Sequence, residues 1–369
     1  MTENITPRQV EAAKLLEGAL RGDRMDKLKL QEGISTSDLP VQLAPTINKI
    51  MLENYADQPK VWDNFAQRLV VDDFRKVEFQ NLAYEDEGLN NQGDTFRAGS
   101  LPTVGEYDEY PTMGWFNVSN EDFAVKKAGS RVRFSWESII NDGNIGLLER
   151  LPLELAKKAA GKEDEEVTKQ LVSASGLNTT NFNSGNQNLL ASNPVLSLES
   201  LEAAIVQANT QTYNGQQATA LSRFVLVVPQ ALELTAKKIL AIQQVRTEVT
   251  SGSTVTSTVS GNPIAASITI VVNPWIKKIY NNSNADKFWF LLPVPADTLN
   301  PGIVLGFLRG HEAPELRVKA NGGLYLGGGA VPAREGSFDN DDFEMRIRHI
   351  ATGGFLIPTG TVVSTGAAS

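Results

Sequence analysis

The chain has 369 residues, no cysteine, two histidines and a formal net charge of −9. Without cysteine there is no disulfide and no thiolate metal site, and His311 and His349 alone leave little material for histidine-based catalysis or zinc binding. The acidic total argues against a protein that reads DNA sequence, which usually presents a basic face. The length suffices for two or three domain-sized cores, or for one elongated subunit of several parts. No apolar run approaches the roughly twenty residues that cross a bilayer. Met1 to Val10 lacks the basic-then-apolar pattern of a secretion signal, so synthesis and use in a cytoplasm are expected.

Residues 1–69 read as an arm rather than a domain. Thr6 can cap a helix with Pro7 in its first turn, and Val10, Leu15, Leu16 and Leu20 form one apolar stripe up to Gly22. After a polar stretch from Arg24 to Asp38, Ile47, Ile50, Met51 and Tyr55 recur at helical spacing. Such short amphipathic pieces need a partner surface, in this chain or another.

Residues 70–136 read as a long two-stranded hairpin with a flanking strand. Phe74, Val77 and Phe79 stand among charges, the stretch Glu85 to Pro111 is too polar and Gly-rich for a core, and strand character returns from Trp115. Val132 and Phe134 alternate with Arg131, Arg133 and Ser135 at period two. An isolated hairpin is at best marginal in water, so this one too needs a surface to lie on.

Residues 137–190 carry a long predicted helix over 145–173, with Leu148, Leu151, Leu155, Ala159, Val167 and Leu171 near helical spacing. Pro152 should kink it or mark its start. The acidic run Glu163, Asp164, Glu165 and Glu166 is expected to be a solvated helix face.

The block 191–305 is α/β in pattern. It comprises a helix over Leu198 to Ala208 with Ser197 or Ser200 as cap, a buried strand Phe224 to Val228, and a helix Pro229 to Ala241. A flexible hairpin or loop is expected over Val249 to Val259, then strands Ile268 to Val272 and Phe288 to Leu292. Residues 306–369 are β-rich, with strands at Val304 to Leu308, Leu316 to Val318 and Phe343 to Ile350. In the last of these, Phe343, Met345, Ile347 and His349 share one face, and Glu344, Arg346 and Arg348 the other.

Motifs of chemistry are few. There is no phosphate-cradling loop, no G-x-S-x-G and no H-E-x-x-H, and the glycines at 322, 323 and 327–329 lack dinucleotide spacing. Asp339, Asn340, Asp341 and Asp342 are the best metal candidate, yet they lack the spacing of a calcium loop and read as a turn. His349 is expected to be a packed, hydrogen-bonded strand residue, and His311 a turn residue. Glu106-Tyr107-Asp108-Glu109-Tyr110 is an acidic, aromatic patch that either touches a partner or is solvated. The alternating arginines at 131 and 133 and at 346 and 348 fit either ion pairs or a surface near phosphate. No catalytic, cofactor-binding or metal-binding residue is assigned, and no enzymatic activity is expected.

The order of parts resembles the major capsid proteins of tailed bacteriophages, with the Hong Kong 97-type capsid fold. The stretch Phe123 to Ser135 resembles the returning strand of that family's extended hairpin loop, and Leu153 to Leu171 its spine helix. Leu198 to Ala208 and Arg223 to Leu234 resemble elements of its axial domain. Gly306 to Leu316 and Asp342 to Gly354 resemble its peripheral-domain strands. The likeness covers about residues 60–360.

The resemblance implies an α+β subunit with an N-terminal arm, an extended loop, a peripheral domain with a spine helix, and an α/β axial domain. It implies self-assembly into hexamers and pentamers of an icosahedral shell around double-stranded DNA, without cofactors and without a membrane. It further implies portal, scaffolding or decoration partners, assembly in a bacterial host cytoplasm, and residence in the virion. Some relatives cross-link a hairpin lysine to a neighbour's asparagine. Lys126 and Lys127 lie in the matching stretch, but no partner asparagine or assisting acid is identifiable and that chemistry is not carried over. The short arm points to a separate scaffolding protein. The competing reading is an encapsulin-like cellular compartment, told apart by whether the shell holds DNA or an enzyme.

Overall fold

A computed structural model of the chain describes residues 40–84, 87–89, 95–97, 104–110, 116–135, 137–138, 146–213, 216–217, 221–242, 244–251, 254–261, 264–297, 302–319, 323–324, 326 and 337–367. The expected helix from Thr6, the polar stretch Arg24 to Asp38, Trp115 and the glycines at 322 and 327–329 lie outside these residues.

In chain order the principal elements are helix α1 (Pro40–Ala56) and strands β1 (Gln67–Val71), β2 (Val77–Tyr84), β3 (Phe116–Phe123) and β4 (Lys127–Ser135). Helices α2 (Gly146–Leu171) and α3 (Leu198–Thr210) follow, then β5 (Phe224–Val228), α4 (Glu233–Ala241), β6 (Gln244–Ser251) and β7 (Thr254–Gly261). The remaining strands are β8 (Ile268–Val272), β9 (Trp289–Pro293), β10 (Ile303–Leu308), β11 (Glu315–Val318), β12 (Asp342–Phe355) and β13 (Val362–Ser364). The fold is α+β, with two compact units. The first takes residues up to Lys60, Val125–Glu163 and Phe307–Ala351; the second takes Val61–Ala124, Asp164–Gly306 and the residues from Thr352 on.

In the first unit β12 runs between β4 and β11, antiparallel to both. Alternation gives β12 an apolar face, and the register sets Phe343 opposite Phe134 and Met345 opposite Val132 and Val318. This corrects the hairpin expected over 70–136. Its returning strand is β3, paired with β2 from Val77↔Phe123 to Tyr84↔Phe116, whereas β4 belongs to the β12 sheet. The physical reason is that Val132 and Phe134 find apolar partners on β12.

The stripe on α1 also finds its partner within the chain. Met51 and Tyr55 pack with Leu155, Ala156, Ala159 and Ala160 of α2 and with Ile347 of β12, flanked by Leu52, Val132, Leu151 and Leu316. The small alanines leave room for the larger α1 side chains. Helix α2 begins at Gly146 and carries Pro152 inside it, so the proline does not mark its start.

The second unit is built on the sheet β8-β5-β9-β13. Strands β5 and β8 are parallel, and β9 is antiparallel to both β5 and β13. Phe224 to Val228 and Trp289 to Pro293 are buried throughout, as continuous apolar runs require. Leu201, Ala204 and Ala208 of α3 and Ala236 and Ile239 of α4 join Phe224, Leu226, Trp289 and Leu291 in one core. Ser197 is the cap of α3: it accepts from the Ser200 amide, and the Ser200 hydroxyl accepts from the Ser197 amide. Pro229 precedes a short 3-10 turn, Gln230–Leu232, and α4 starts only at Glu233. The Ser/Thr-rich stretch around Val249 to Val259 takes its hairpin form, β6 paired with β7.

The segment 306–369, expected to be of one piece, is divided. Strand β13 completes the β9 edge in the second unit, where Val362 and Val363 are fully buried. Gly353 of β12 passes against α2 in the same unit. A Cβ there would lie 2.3 Å from the Glu166 carbonyl oxygen, and Gln170 Nε2 donates to the Gly353 carbonyl at 3.0 Å. Gly353→Ala is therefore expected to destabilise the protein by about 1–3 kcal/mol. Chemical denaturation followed by circular dichroism reads this as a lower midpoint; an unchanged midpoint would show that strand and helix part freely.

Candidate functional site

The acidic run on α2 is where the structure departs most from expectation. Glu163 is fully buried and Asp164 nearly so, and neither belongs to a solvated face. A buried carboxylate is tolerated only when donors surround it. In the second unit Asp164 accepts the backbone amides of Val61 at 2.9 Å and Trp62 at 3.0 Å. It thereby satisfies donors at the start of the 3-10 turn Trp62–Asn64.

In the first unit Glu163 is the centre of a four-residue cluster. The Tyr55 hydroxyl donates to Glu163 Oε1, and His349 Nε2–H donates to the same oxygen at 2.8 Å. The Lys60 ammonium lies 3.3 Å from Oε2 and 4.0 Å from the centroid of the Tyr55 ring. The His349 ring sits edge-on to Tyr55 at 5.8 Å and tilted against Phe307 at 6.0 Å. Burial pushes the Glu163 carboxyl up. The hydrogen bonds from His349 and Tyr55 and the charge of Lys60 outweigh it and hold the group below its ordinary 4.5. The cluster joins α1, the segment after it, α2 and β12. Tyr55, Glu163 and His349 are buried and Lys60 is half-buried, so the cluster ties these elements together from within.

The opposite face of the β12 sheet is charged and open. The register sets Arg317, Arg346 and Arg131 in one line across β11, β12 and β4. On one side of that line, Glu344 of β12 takes Arg131 at 3.2 Å, Lys319 at 3.1 Å and Arg133 at 3.7 Å, and Asp342 takes Arg133 at 2.9 Å. On the other side Glu315 takes Arg348 and Arg317 and accepts from His311 Nδ1. Among the described residues six cations thus face three carboxylates: Arg131, Arg133, Arg317, Lys319, Arg346 and Arg348 against Glu315, Asp342 and Glu344. A pocket of about 310 Å³ is lined by Arg131, Arg317, Lys319, Glu344 and Arg346. Among the described residues Arg346 makes no ion pair. The lysine beside Glu344 and the two arginines hold that carboxyl below its ordinary value.

The other residues singled out in the sequence fall elsewhere. Asp339, Asn340 and Asp341 lie at an exposed turn, Asp341 with a φ of 48°, while Asp342 accepts from the Ser337 hydroxyl with one oxygen and pairs with Arg133 through the other. Among the described residues no group of three or more acidic or histidine side chains could hold a metal ion. Glu106 to Tyr110 are exposed, Tyr107 completely. Lys126 and Lys127 are exposed where β3 passes to β4. Among the described residues no helix is long and apolar enough to cross a membrane.

Tyr55, Lys60 and Glu163 were not anticipated. The signal was present: Leu155, Ala159, Glu163, Val167 and Leu171 follow one another at intervals of four, so Glu163 stands in the apolar stripe. Glu163→Ala is expected to cost about 3–5 kcal/mol, because it leaves His349, Tyr55 and Lys60 without their acceptor. The pH dependence has a definite sign. With its carboxyl depressed in the folded state, Glu163 contributes fully above about pH 4.5, and the contribution is lost as pH falls through the lower folded value. Acid unfolding of Glu163→Gln should therefore be less steep below that pH than in the parent chain. Identical acid profiles would remove Glu163 from the account.

The family model described as phage capsid protein matches residues 120–364, more than half of the 369-residue chain. No curated protein sequence matches. Among solved structures the chain is similar to a virus-like particle from Pyrococcus furiosus, at 12% identity and a TM-score of 0.46, covering 86% of this chain and 97% of that one. It is similar to a structure from Microbacterium phage Oxtober96 at 11% identity and a TM-score of 0.46, covering 81% and 88%. It is also similar to the holo-SrpI encapsulin complex from Synechococcus elongatus, at 10% identity and a TM-score of 0.42, covering 81% and 85%. The family model carries the assignment: the chain belongs to the phage capsid protein family.

Proposed function

We propose that this chain is the major head protein of a tailed phage, and that its copies assemble as hexamers and pentamers into an icosahedral shell enclosing double-stranded DNA. The observation that carries the reading is the family match over residues 120–364. Exposed apolar side chains in the second unit agree with it: Val206 on α3, Leu234 on α4 and Ile242 just beyond α4 are 62%, 70% and 39% exposed. A neighbouring copy would cover such surface at the capsomer centre. In this reading residues 191–305 together with β13 form the axial domain, and β2 with β3 forms the extended loop. The β12 sheet with α2 forms the peripheral domain. A portal, and scaffolding or decoration proteins, are its further partners.

Electron microscopy of the purified protein, expressed alone and beside its neighbouring genes, tests the proposal. Closed shells or hexamer rings of uniform size are expected, with DNA inside those recovered from infected cells. Shells filled with an enzyme instead would make this an encapsulin-like compartment. A monomer under every condition would sink the assembly reading.

A further inference from the structure

We infer that the line Arg317, Arg346 and Arg131, together with Lys319, is a binding site for phosphodiester groups of the enclosed duplex, and that this face of the β12 sheet is turned to the shell's interior. The inference rests on the reading above that the shell holds DNA.

Like charges placed directly opposite one another on adjacent strands repel. Here the register sets three arginines in that relation. The lines on either side each have a carboxylate among their cations, Glu344 in one and Glu315 in the other. The central line has none of its own. Arg131 borrows Glu344 and Arg317 borrows Glu315 at 3.4 Å, while Arg346 has no acidic partner among the described residues. An arrangement that costs stability in the free chain is relieved by an anion delivered from outside.

The geometry selects the kind of anion. Neighbouring strands are about 4.8 Å apart, so the three guanidinium stems cross about 10 Å in a straight line, beside the pocket of about 310 Å³. A line of separate cations suits a polymer with one charge per repeat better than a single compact ligand. Guanidinium forks match phosphate oxygens two at a time, and most protein–DNA contacts are of this sequence-independent kind. The net charge of −9 means that much of the chain repels DNA, so a polyanion is held only where cations are in local excess. Among the described residues, six cations facing three carboxylates provide such a place.

The test uses the full chain before assembly and a duplex oligonucleotide of about 20 base pairs, with anisotropy measured across a salt series. The charge-removing variant is Arg131→Gln/Arg317→Gln/Arg346→Gln, and the charge-keeping variant carries Lys at the same three positions. The parent should bind, with affinity falling steeply as salt rises. The Gln variant should lose at least about tenfold in affinity, and its log–log salt slope should flatten by about 2.7, the value for three phosphate contacts. The Lys variant should keep most of that slope. Both variants should still form shells of parental size, which separates failure of this inference from failure of the assembly reading. Equal slopes for a folded Gln variant and the parent overturn the inference. So does a Gln variant that binds DNA normally but no longer assembles, because the arginine line would then be a contact for an acidic segment of a neighbouring copy.

Discussion

A carboxylate removed from water must be met by donors wherever the chain can bring them, and Glu163 draws its donors from two distant parts of the sequence. Tyr55 comes from the end of α1, Lys60 from the segment after it, and His349 from the middle of β12. The hydrophobic packing of Met51, Leu155, Ala159 and Ile347 brings these elements together, but apolar packing alone tolerates sliding. The hydrogen bonds to one oxygen and the ammonium at the other do not. They set where α1 lies along α2 and which residues of β12 stand beneath it. The line of arginines on the far face follows from the same placement, because residues 346 and 348 face outward only while 347 and 349 face in.

Much of this architecture was legible in the residues, and what was missed has a common cause. The period-two run at Phe343 to His349 and the buried run Phe224 to Val228 are local patterns that stand where they were placed; the strand expected over Phe288 to Leu292 runs Trp289–Pro293, and of the two caps open to α3, Ser197 or Ser200, Ser197 takes the position. The wrong readings concerned partners. The alternation over Arg131 to Ser135 identifies a strand but not its neighbour, and β4 pairs with β12 rather than within the hairpin. Val362 and Val363 sit in a short, small-residue stretch too brief to announce a strand, and only the open edge of β9 makes them one.

The acidic run is the more instructive case. Four consecutive acidic residues look alike in composition, yet they occupy different angles around α2. Glu163 and Asp164 point inward, whereas Glu165 and Glu166 pair with Lys169 at 2.7 and 3.0 Å in the usual manner of a helix surface. Position in the apolar stripe decides which carboxylates must find donors. The arginines show the converse: each is ordinary by itself, and the cost of setting three abreast exists only once the strands are in register.

The late position of β12 and β13 in the sequence bears on the order in which the molecule becomes competent. In the first unit, β4 and β11 have no strand between them and Glu163 has no histidine until residues 342–350 have emerged from the ribosome. In the second, the β9 edge stays open until Val362 to Ser364 arrive. Neither core closes on a nascent chain that lacks these residues, however long the rest has been waiting.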